Sequence, residues 1–201
     1  MWQLINISAQ NICAFRDMEY SPLQGHTTLI FGNNLDNDTQ GSNGSGKSAL
    51  IEALAIALTG ESLRKVNTEE IINDACDEAH LLCTLVNSVT NDKFIIERTF
   101  SRNNPQIITT SLNDENVVQP SILEYNRYIL DTLGVSKSDI FSSYILSKHT
   151  YTSFLNASDR VKKEFINRFS NGNLVDESIE HLKADMAVVR ERVLDAEKRV
   201  A

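Results

Sequence analysis

The stretch that most constrains what this chain can fold into is GSNGSGKSAL, residues 41–50. Gly41 is followed, after four residues, by Gly46, Lys47 and Ser48, which is the spacing of a phosphate-binding loop. Glycines let the backbone turn its N–H groups toward phosphate oxygens, and the lysine places a positive charge beside the β- and γ-phosphates. The serine hydroxyl can bind the Mg²⁺ that accompanies those phosphates. The spacing therefore predicts nucleotide binding and disfavours a plain Gly/Ser-rich surface loop.

The segment after the loop predicts a buried helix whose first amides face the same anion. Residues 48–58 are rich in Ala, Leu and Ile, and Gly60 suits a left-handed C-terminal cap. ATP and Mg²⁺ are the predicted cofactors, and Ser48 is the predicted metal ligand. The residues of this segment that we expect to bind the nucleotide are Asn43, Gly44, Ser45, Gly46, Lys47, Ser48 and Ala49.

The composition is that of a soluble globular protein. The chain has 201 residues, of which 41% are hydrophobic and 23% are charged. It has neither an apolar run long enough to span a membrane nor a secretory signal at its start, so we expect a cytoplasmic protein with no membrane partner. Its three cysteines form no CxxC pair, which favours free thiols. The formal net charge of −8 argues against a chain that coats DNA through bulk charge, although it does not exclude a local basic patch.

Alternating and β-branched segments predict many strands. WQLINIS and AFRDMEYS are expected to form two strands joined by a short turn, and TTLIF at 27–31 a buried strand before the loop. AHLLCTLVNS and DKFIIERTFS predict two more strands, joined by a polar turn at 89–92. PQIITTSLNDENVV predicts a hairpin that turns at Asn113 and Asp114. Residues 121–133 have helical spacing, and Gly134 follows as a stop.

A polar insertion separates the predicted strand at 27–31 from the loop. In most proteins with such a loop the strand runs directly into it, whereas here NNLDNDTQ at 33–40 intervenes. The insertion is compatible with a polar hairpin at the mouth of the site or with a lid over the nucleotide.

The C-terminal end carries a heptad pattern. Apolar residues follow one another at intervals of 4, 3, 4, 3, 4, 3 and 4: Val175, Ile179, Leu182, Met186, Val189, Val193, Ala196 and Val200. A single amphipathic helix packed on its own domain usually has a wider apolar stripe, so the pattern favours a coiled coil. The pattern is still in phase at Ala201, and we expect the partner strand in a later part of a longer protein.

The combination of these features resembles the SMC-like ATPases, and most of all the ATPase subunit of the SbcCD type and its phage recombination relatives. The resemblance rests on Phe15-Arg16, on NGSGKSALIEALAIALTG, on Ile72-Asn73 at the turn into a second sheet, and on FSSYILSKHTYTSFLNASDRVKKEFINRF before the heptads. It implies an α/β fold, a P-loop NTPase half-head of the ABC type with mixed sheets. The implied domains are the N-terminal lobe of the head at 1–172 and the start of a coiled coil at 173–201.

One departure from the family concerns its Q-loop glutamine, which contacts the metal and the attacking water. Aligning SYIL with the strand before that glutamine puts Ser147 at its position, followed by Lys148 and His149. Ser147 is therefore a candidate for holding a metal-bound water. His149 is more in keeping with a packed or surface histidine than with a catalytic one.

The family pattern also suggests roles for several basic residues. Arg16 is expected near the phosphates or the base of the nucleotide, the alternative being an ordinary surface arginine. Residues that the resemblance makes candidates for contacting DNA phosphates, against the alternative of a solvated charged face, are Arg64, Lys65, Arg160, Lys162, Lys163 and Arg168.

The resemblance implies an ATP-binding lobe that is completed elsewhere. The chain has no apolar run ending in Asp-Glu and no Ser-Gly-Gly, so the general base and the signature motif are expected in a C-terminal lobe and a second head. The expected function is a DNA-processing ATPase that acts on double-stranded DNA, pairs with a second head and gates a nuclease partner. The alternative is an SMC-type structural or antiphage-defence ATPase that tethers DNA or controls an effector. A P-loop kinase or GTPase would have no use for the heptads.

Overall fold

The structure is a computed structural model that describes residues 1–32, 46–64, 66–147, 158–169, 178–183, 185–187 and 189–190. Predictions for the insertion at 33–40, for Gly41 to Ser45, for Lys65 and for His149 lie outside these residues. Contacts divide the chain into two units, 1–151 and 152–201. The domain boundary at 172/173 stays a prediction.

The first unit contains a six-stranded antiparallel sheet in the order β2-β1-β3-β4-β5-β6. Its strands are β1 (Trp2–Ile12), β2 (Phe15–Tyr20), β3 (Glu78–Asn87), β4 (Lys93–Ser101), β5 (Ile107–Leu112) and β6 (Glu115–Val117). Five segments predicted as strands or hairpins are thereby confirmed. The last hairpin turns at Asn113 (φ 53°) and Asp114 (φ 65°), because a two-residue turn with both residues left-handed matches the twist of its strands.

Helices cover one face of this sheet. The first unit contains α1 (Lys47–Thr59), α2 (Thr68–Ile71), α3 (Ile122–Leu133) and α4 (Lys137–Asp139). On β3, Ala79, Leu81, Cys83 and Leu85 alternate with more exposed residues, as expected of a strand with one covered face. The covered face packs against α1 and α3, and the indole of Trp2 donates to the carbonyl of Thr132 at 2.9 Å. The predicted helices at 48–58 and 121–133 are confirmed within one residue at each end.

A buried arginine ties β4 to the C-terminal end of α1. Arg98 is fully buried, its Nε donates to the carbonyl of Ala57 at 3.0 Å, and its Nη2 donates to Oδ1 of Asn126 at 2.8 Å. Burial lowers the pKa of Arg98 to about 10. The helix ends at Gly60, whose φ of 75° confirms the predicted left-handed cap. A Cβ on Gly60 would lie 2.7 Å from Nδ2 of Asn126, so the side chain of Asn126 would have to shift to admit one.

The prediction of a buried strand at residues 27–31 is wrong. These residues form no strand, and Leu29 and Phe31 are 74% and 81% exposed. The β-branched and aromatic composition of residues 27–31 indicates only a local preference for a strand. A strand also needs a neighbour for its backbone hydrogen bonds, and the strands that the structure describes pair only with one another.

The second unit is described in part. It contains α5 (Asp159–Phe169), and residues 178–183, 185–187 and 189–190 are helical. The heptad residues within these ranges are exposed, with Ile179 at 43%, Leu182 at 59%, Met186 at 52% and Val189 at 56%. The remaining heptad residues lie outside the described part of the chain, and the coiled coil stays a prediction. Within the described residues no helix is long and apolar enough to cross a membrane.

Candidate nucleotide-binding site

Gly46 forms the junction between the glycine-rich loop and α1. It is the N-cap residue of that helix and has a φ of 83°, a left-handed conformation that glycine adopts without strain. A Cβ on Gly46 would lie 2.7 Å from Cζ of Phe15, the first residue of β2. The ring of Phe15 thus packs directly against the end of the loop, and both the φ and this contact require glycine.

The first turn of α1 is suited to an anion. Lys47 and Ser48 are its first two residues, and the helix has no acidic residue in its first turn. Unpaired amides and the helix dipole make such an N-terminus positive. The amides of Ala49 and Leu50 donate to the carbonyl of Gly46 at 2.9 and 3.2 Å, so the turn itself is well formed. The amide of Ala49, a predicted nucleotide contact, is used inside the helix.

A cleft of about 530 Å³ opens beside this turn. Ser147 lies in it together with Lys47 and Ser48, although about a hundred residues separate them in the sequence. The remaining lining residues are Ile51, Glu52, Leu63, Arg64 and Leu146. The structure therefore brings Lys47 and Ser48, two of the predicted phosphate-binding residues, and Ser147 into one cleft.

A small apolar cluster fixes the segment that places Ser147 in the cleft. Ile140 and Ile145 are buried with Ala55 of α1 and with Leu63. Residues 140–144 form a π-helical turn, in which the amide of Ile145 donates to the carbonyl of Ile140 at 2.7 Å. Ile145 is thereby anchored on α1, and Ser147 follows two residues later.

Glu52 is a site residue that sequence reasoning missed. It is 3% exposed, accepts a hydrogen bond from the hydroxyl of Ser62, and lies 3.7 Å from Nε of Arg64. A buried carboxylate needs such partners, because an isolated charge would be costly. The signal in the sequence was available: Glu52 is the one charged residue between Ser48 and Thr59, in an otherwise apolar helix.

The basic residues predicted from the family pattern have different surroundings. Arg64 is half-exposed, lines the cleft and is paired with Glu52, and its Nη2 lies 3.9 Å from Sγ of Cys13. Arg16 is exposed on β2, next to Phe15. Arg160 and Lys163 are exposed on α5 in the second unit, where Lys162 lies 4.0 Å from Asp159. The side chain of Arg168 and all of Lys65 lie outside the described part of the chain.

Mg²⁺ fits this site only together with a nucleotide. Among the described residues no group of three or more His, Cys, Asp or Glu side chains could hold a metal ion. Mg²⁺ commonly takes one or two protein ligands and completes its shell with water and substrate phosphates. A single hydroxyl from Ser48 beside the positive turn of α1 matches that mode of binding.

A second cleft, of about 570 Å³, lies on the other face of the sheet and is unsuited to phosphates. It is lined by Asp17, Glu19 and Glu97 together with His80 and six other residues. Three carboxylates would repel a nucleoside triphosphate. The positive cleft at α1 is therefore the better candidate, although it is slightly smaller.

The cysteines play no visible part in the site chemistry. Cys13, Cys76 and Cys83 are all free thiols, as predicted. Burial raises the pKa of Cys83 to about 12 and also raises the pKa of Cys13. A thiol with a raised pKa is a poor nucleophile at neutral pH.

Residues 6–197 match the family of AAA domains, and the chain therefore belongs to this ATPase family. The α/β P-loop NTPase fold and the resemblance to an SMC-like or SbcC-type ATPase head are both confirmed for the N-terminal part of such a head.

The particular relatives are much longer proteins. The chain is 24% identical over 177 residues to the C subunit of nuclease SbcCD from Bacillus subtilis (strain 168), covering 83% of the chain and 15% of that protein. It is 30% identical over 169 residues to structural maintenance of chromosomes protein 6 of Saccharomyces cerevisiae, covering 78% of the chain and 14% of that protein. The chain thus spans about one seventh of the length of these relatives.

Among solved structures, the recombination mediator protein RecF with ATP bears a partial likeness. Its TM-score is 0.46 at 20% identity, over 58% of this chain and 28% of the RecF chain. A second structure of that protein, RecF-ATPrS, has a TM-score of 0.48 at 20% identity, over 64% of this chain and 30% of that one.

Proposed function

We propose that the chain is the ATP-binding lobe of an SMC-like DNA-processing ATPase whose ATP-driven head engagement gates a DNA-acting partner such as a nuclease. The observation that carries the proposal is the cleft that contains Lys47, Ser48 and Ser147 at the positive start of α1. Membership of the AAA domain family and the similarity to the C subunit of nuclease SbcCD support it.

ATP would lie with its phosphates on the loop and on the first turn of α1. Lys47 supplies a point charge to the β- and γ-phosphates, and the hydroxyl of Ser48 binds Mg²⁺. Asn43, Gly44 and Ser45 add backbone amides, and Arg16 approaches from β2. Arg64 adds a second cation in the same cleft, where it also offsets the negative charge of Glu52.

Hydrolysis would require parts that this chain does not contribute. Lys47 and Ser48 bind and orient phosphates, but neither is a general base for water. Ser147 is the candidate for holding a metal-bound water, through its hydroxyl. The chain alone should bind ATP weakly and turn it over very slowly, and a C-terminal lobe with a second head would complete the site.

DNA would contact this lobe through a few basic side chains rather than through bulk charge. Arg160 and Lys163 are exposed on α5, and Lys65 follows Arg64 in the sequence. Because each neutralised phosphate releases counterions, binding through these residues would weaken as salt rises. Double-stranded DNA is the proposed nucleic acid.

The similarity to structural maintenance of chromosomes protein 6 favours a second candidate function. In it the ATPase tethers DNA or controls an antiphage effector instead of gating a nuclease. The two functions differ in the protein bound at the base of the coil. Purifying the full-length protein with its bound partner, and testing that complex for ATP-dependent DNA cleavage, would separate them.

Nucleotide binding itself is tested with a lysine variant. Lys47→Ala removes a charge-assisted contact worth about 1.5–3 kcal/mol, so calorimetric titration with Mg²⁺–ATP should show a roughly 10- to 150-fold loss of affinity. The control is Lys93→Ala, which removes a half-exposed lysine that pairs with Asp114 at 3.5 Å. Equal affinity of the Lys47→Ala variant and the wild type would refute the nucleotide assignment.

A further inference from the structure

The turn between β1 and β2 has a strained backbone. Asn11, near the end of β1, and Cys13, in the turn itself, both have positive φ angles, of 55° and 49°, and neither is glycine. Such a conformation is unfavourable for a residue with a Cβ and persists where the surroundings enforce it. Phe15 follows directly and packs against Gly46, so the strained turn is linked to the phosphate-binding loop.

The enforcing contacts come from the last residue of α2 and from the segment that follows it. The amide of Cys13 donates to the carbonyl of Ile71 at 2.7 Å, and the amide of Asn73 donates to the carbonyl of Asn11 at 2.8 Å. The side chain of Asn73 adds a third bond, from Nδ2 to the carbonyl of Cys13 at 2.9 Å. Its Oδ1 accepts from the amide of Ala75 at 3.1 Å, which fixes the orientation of the side-chain amide.

Arg102 contacts the backbone of the segment that contains Asn73. Nε of Arg102 donates to the carbonyl of Cys76 at 3.0 Å, and its Nη2 lies 3.4 Å from the carbonyl oxygens of Ile72 and Asn73. A guanidinium that contacts three carbonyls leaves the segment little freedom. Asn73 is thus itself rigidly held where it meets the strained turn.

We propose that Asn73 is a positioning residue for nucleotide binding, acting through the β1–β2 turn to hold the ring of Phe15 against Gly46. This inference rests on the proposed function, because the loop that Phe15 supports is taken to bind ATP. Without the bond from Nδ2, the carbonyl of Cys13 is released and the turn relaxes toward ordinary φ angles. Phe15 then shifts, and Gly46 loses the surface that fixes the start of α1.

The test variant replaces the Nδ2 donor of Asn73 with an oxygen and keeps the shape of the side chain. Asn73→Asp retains an acceptor for Ala75 but sets an oxygen against the carbonyl of Cys13. Asn113→Asp is the matched control, because Asn113 also donates from Nδ2 to an oxygen, of Asp92 at 2.8 Å, and accepts from a backbone amide, of Lys93 at 2.9 Å. The turn that contains Asn113 adjoins the start of β4. Asn73, in contrast, lies near the C-terminal end of β4.

Calorimetric titration of the whole chain with Mg²⁺–ATP is the readout, with thermal unfolding measured in parallel. Asn73→Asp should lower ATP affinity by about tenfold, the effect of losing one hydrogen bond, and Asn113→Asp by less than about twofold. Phe15→Leu should also weaken binding, and adding Asn73→Asp to it should have little further effect. If Asn73 had only a structural role, Asn73→Asp would lower the melting temperature, but its effect on ATP affinity would not depend on whether Phe15 is present.

The outcomes separate the inference from the proposed function. Unchanged ATP affinity in Asn73→Asp, with a large loss in Lys47→Ala, overturns the inference and leaves the nucleotide assignment intact. Unchanged affinity in Lys47→Ala overturns the assignment itself. If Asn73→Asp does not fold, Phe15→Leu decides, and wild-type affinity in that variant overturns the role of the turn.

Discussion

At the scale of single residues, Gly46 shows how one position serves both local geometry and packing. From the sequence, glycine at this position is explained by backbone amides that must turn around phosphates. The structure adds the ring of Phe15, whose Cζ would lie 2.7 Å from any Cβ at this position. That contact was beyond sequence reasoning, because the two residues are far apart in the chain and neither carries a pattern that points to the other. Glu52 differs, because its place as the one charged residue in an apolar helix was visible in the sequence, and only its partner Ser62, beyond the end of α1, was not.

Gly46→Ala should therefore cost more than backbone strain alone. Gly25→Ala is a suitable reference, because Gly25 has a φ of 72° but no atom within 4 Å of where a Cβ would lie. Strain should destabilise both variants by about 1–2 kcal/mol, and the clash with Phe15 should add to the cost only at Gly46. Urea unfolding of both variants measures the difference. Equal free energies of unfolding would mean that the Phe15 contact is unimportant.

At the scale of elements, prediction succeeded where the signal was local and failed where a partner was needed. The turn at Asn113 and Asp114, the stop at Gly134 and the apolar helix after Ser48 are all set by residues within a few positions of each other. The segment at 27–31 has an equally strong strand composition, yet its residues are exposed because no described strand pairs with it. Sheet formation is decided by neighbours, which composition does not reveal.

The segment at 140–147 should depend on its anchor on α1. Ile145 is 5% exposed within the cluster of Ala55, Leu63 and Ile140, whereas the adjacent Leu146 is 64% exposed. Ile145→Ala should destabilise the protein by about 2–4 kcal/mol, and Leu146→Ala by less than about 0.5 kcal/mol. Chemical denaturation of the two variants checks this. A cost at Leu146 as large as that at Ile145 would contradict the anchoring role.

At the scale of the whole molecule, the described residues of the heptad seam are exposed. Ile179, Leu182, Met186 and Val189 are all exposed, and contiguous exposed apolar residues favour association. The predicted partner is an antiparallel strand of the same longer protein, which would return a C-terminal lobe to the head. If the helix runs from Val175 to Val200, it is roughly 39 Å long at 1.5 Å per residue.

Charge on the seam should disrupt this assembly without touching the first unit. Leu182→Asp combined with Val189→Asp should reduce head assembly in the full-length protein, because two carboxylates would be buried against the partner strand. His181→Asp and Ala187→Asp are controls, as both residues lie in described helical ranges at positions away from the seam. Size-exclusion chromatography with light scattering measures assembly, and circular dichroism checks the fold. Equal effects of seam and control variants would rule out a coiled coil in this register.

Binding of the ATP phosphates at the start of α1 can be seen in a crystal structure of the chain with Mg²⁺ and a non-hydrolysable ATP analogue. We expect Nζ of Lys47 to contact the β- and γ-phosphates, and Oγ of Ser48 to lie about 2.1 Å from the metal. Ser147 should line the same nucleotide-filled cleft. A nucleotide bound elsewhere on the chain, or a metal more than about 3 Å from Oγ of Ser48 with the phosphates in place, would contradict it.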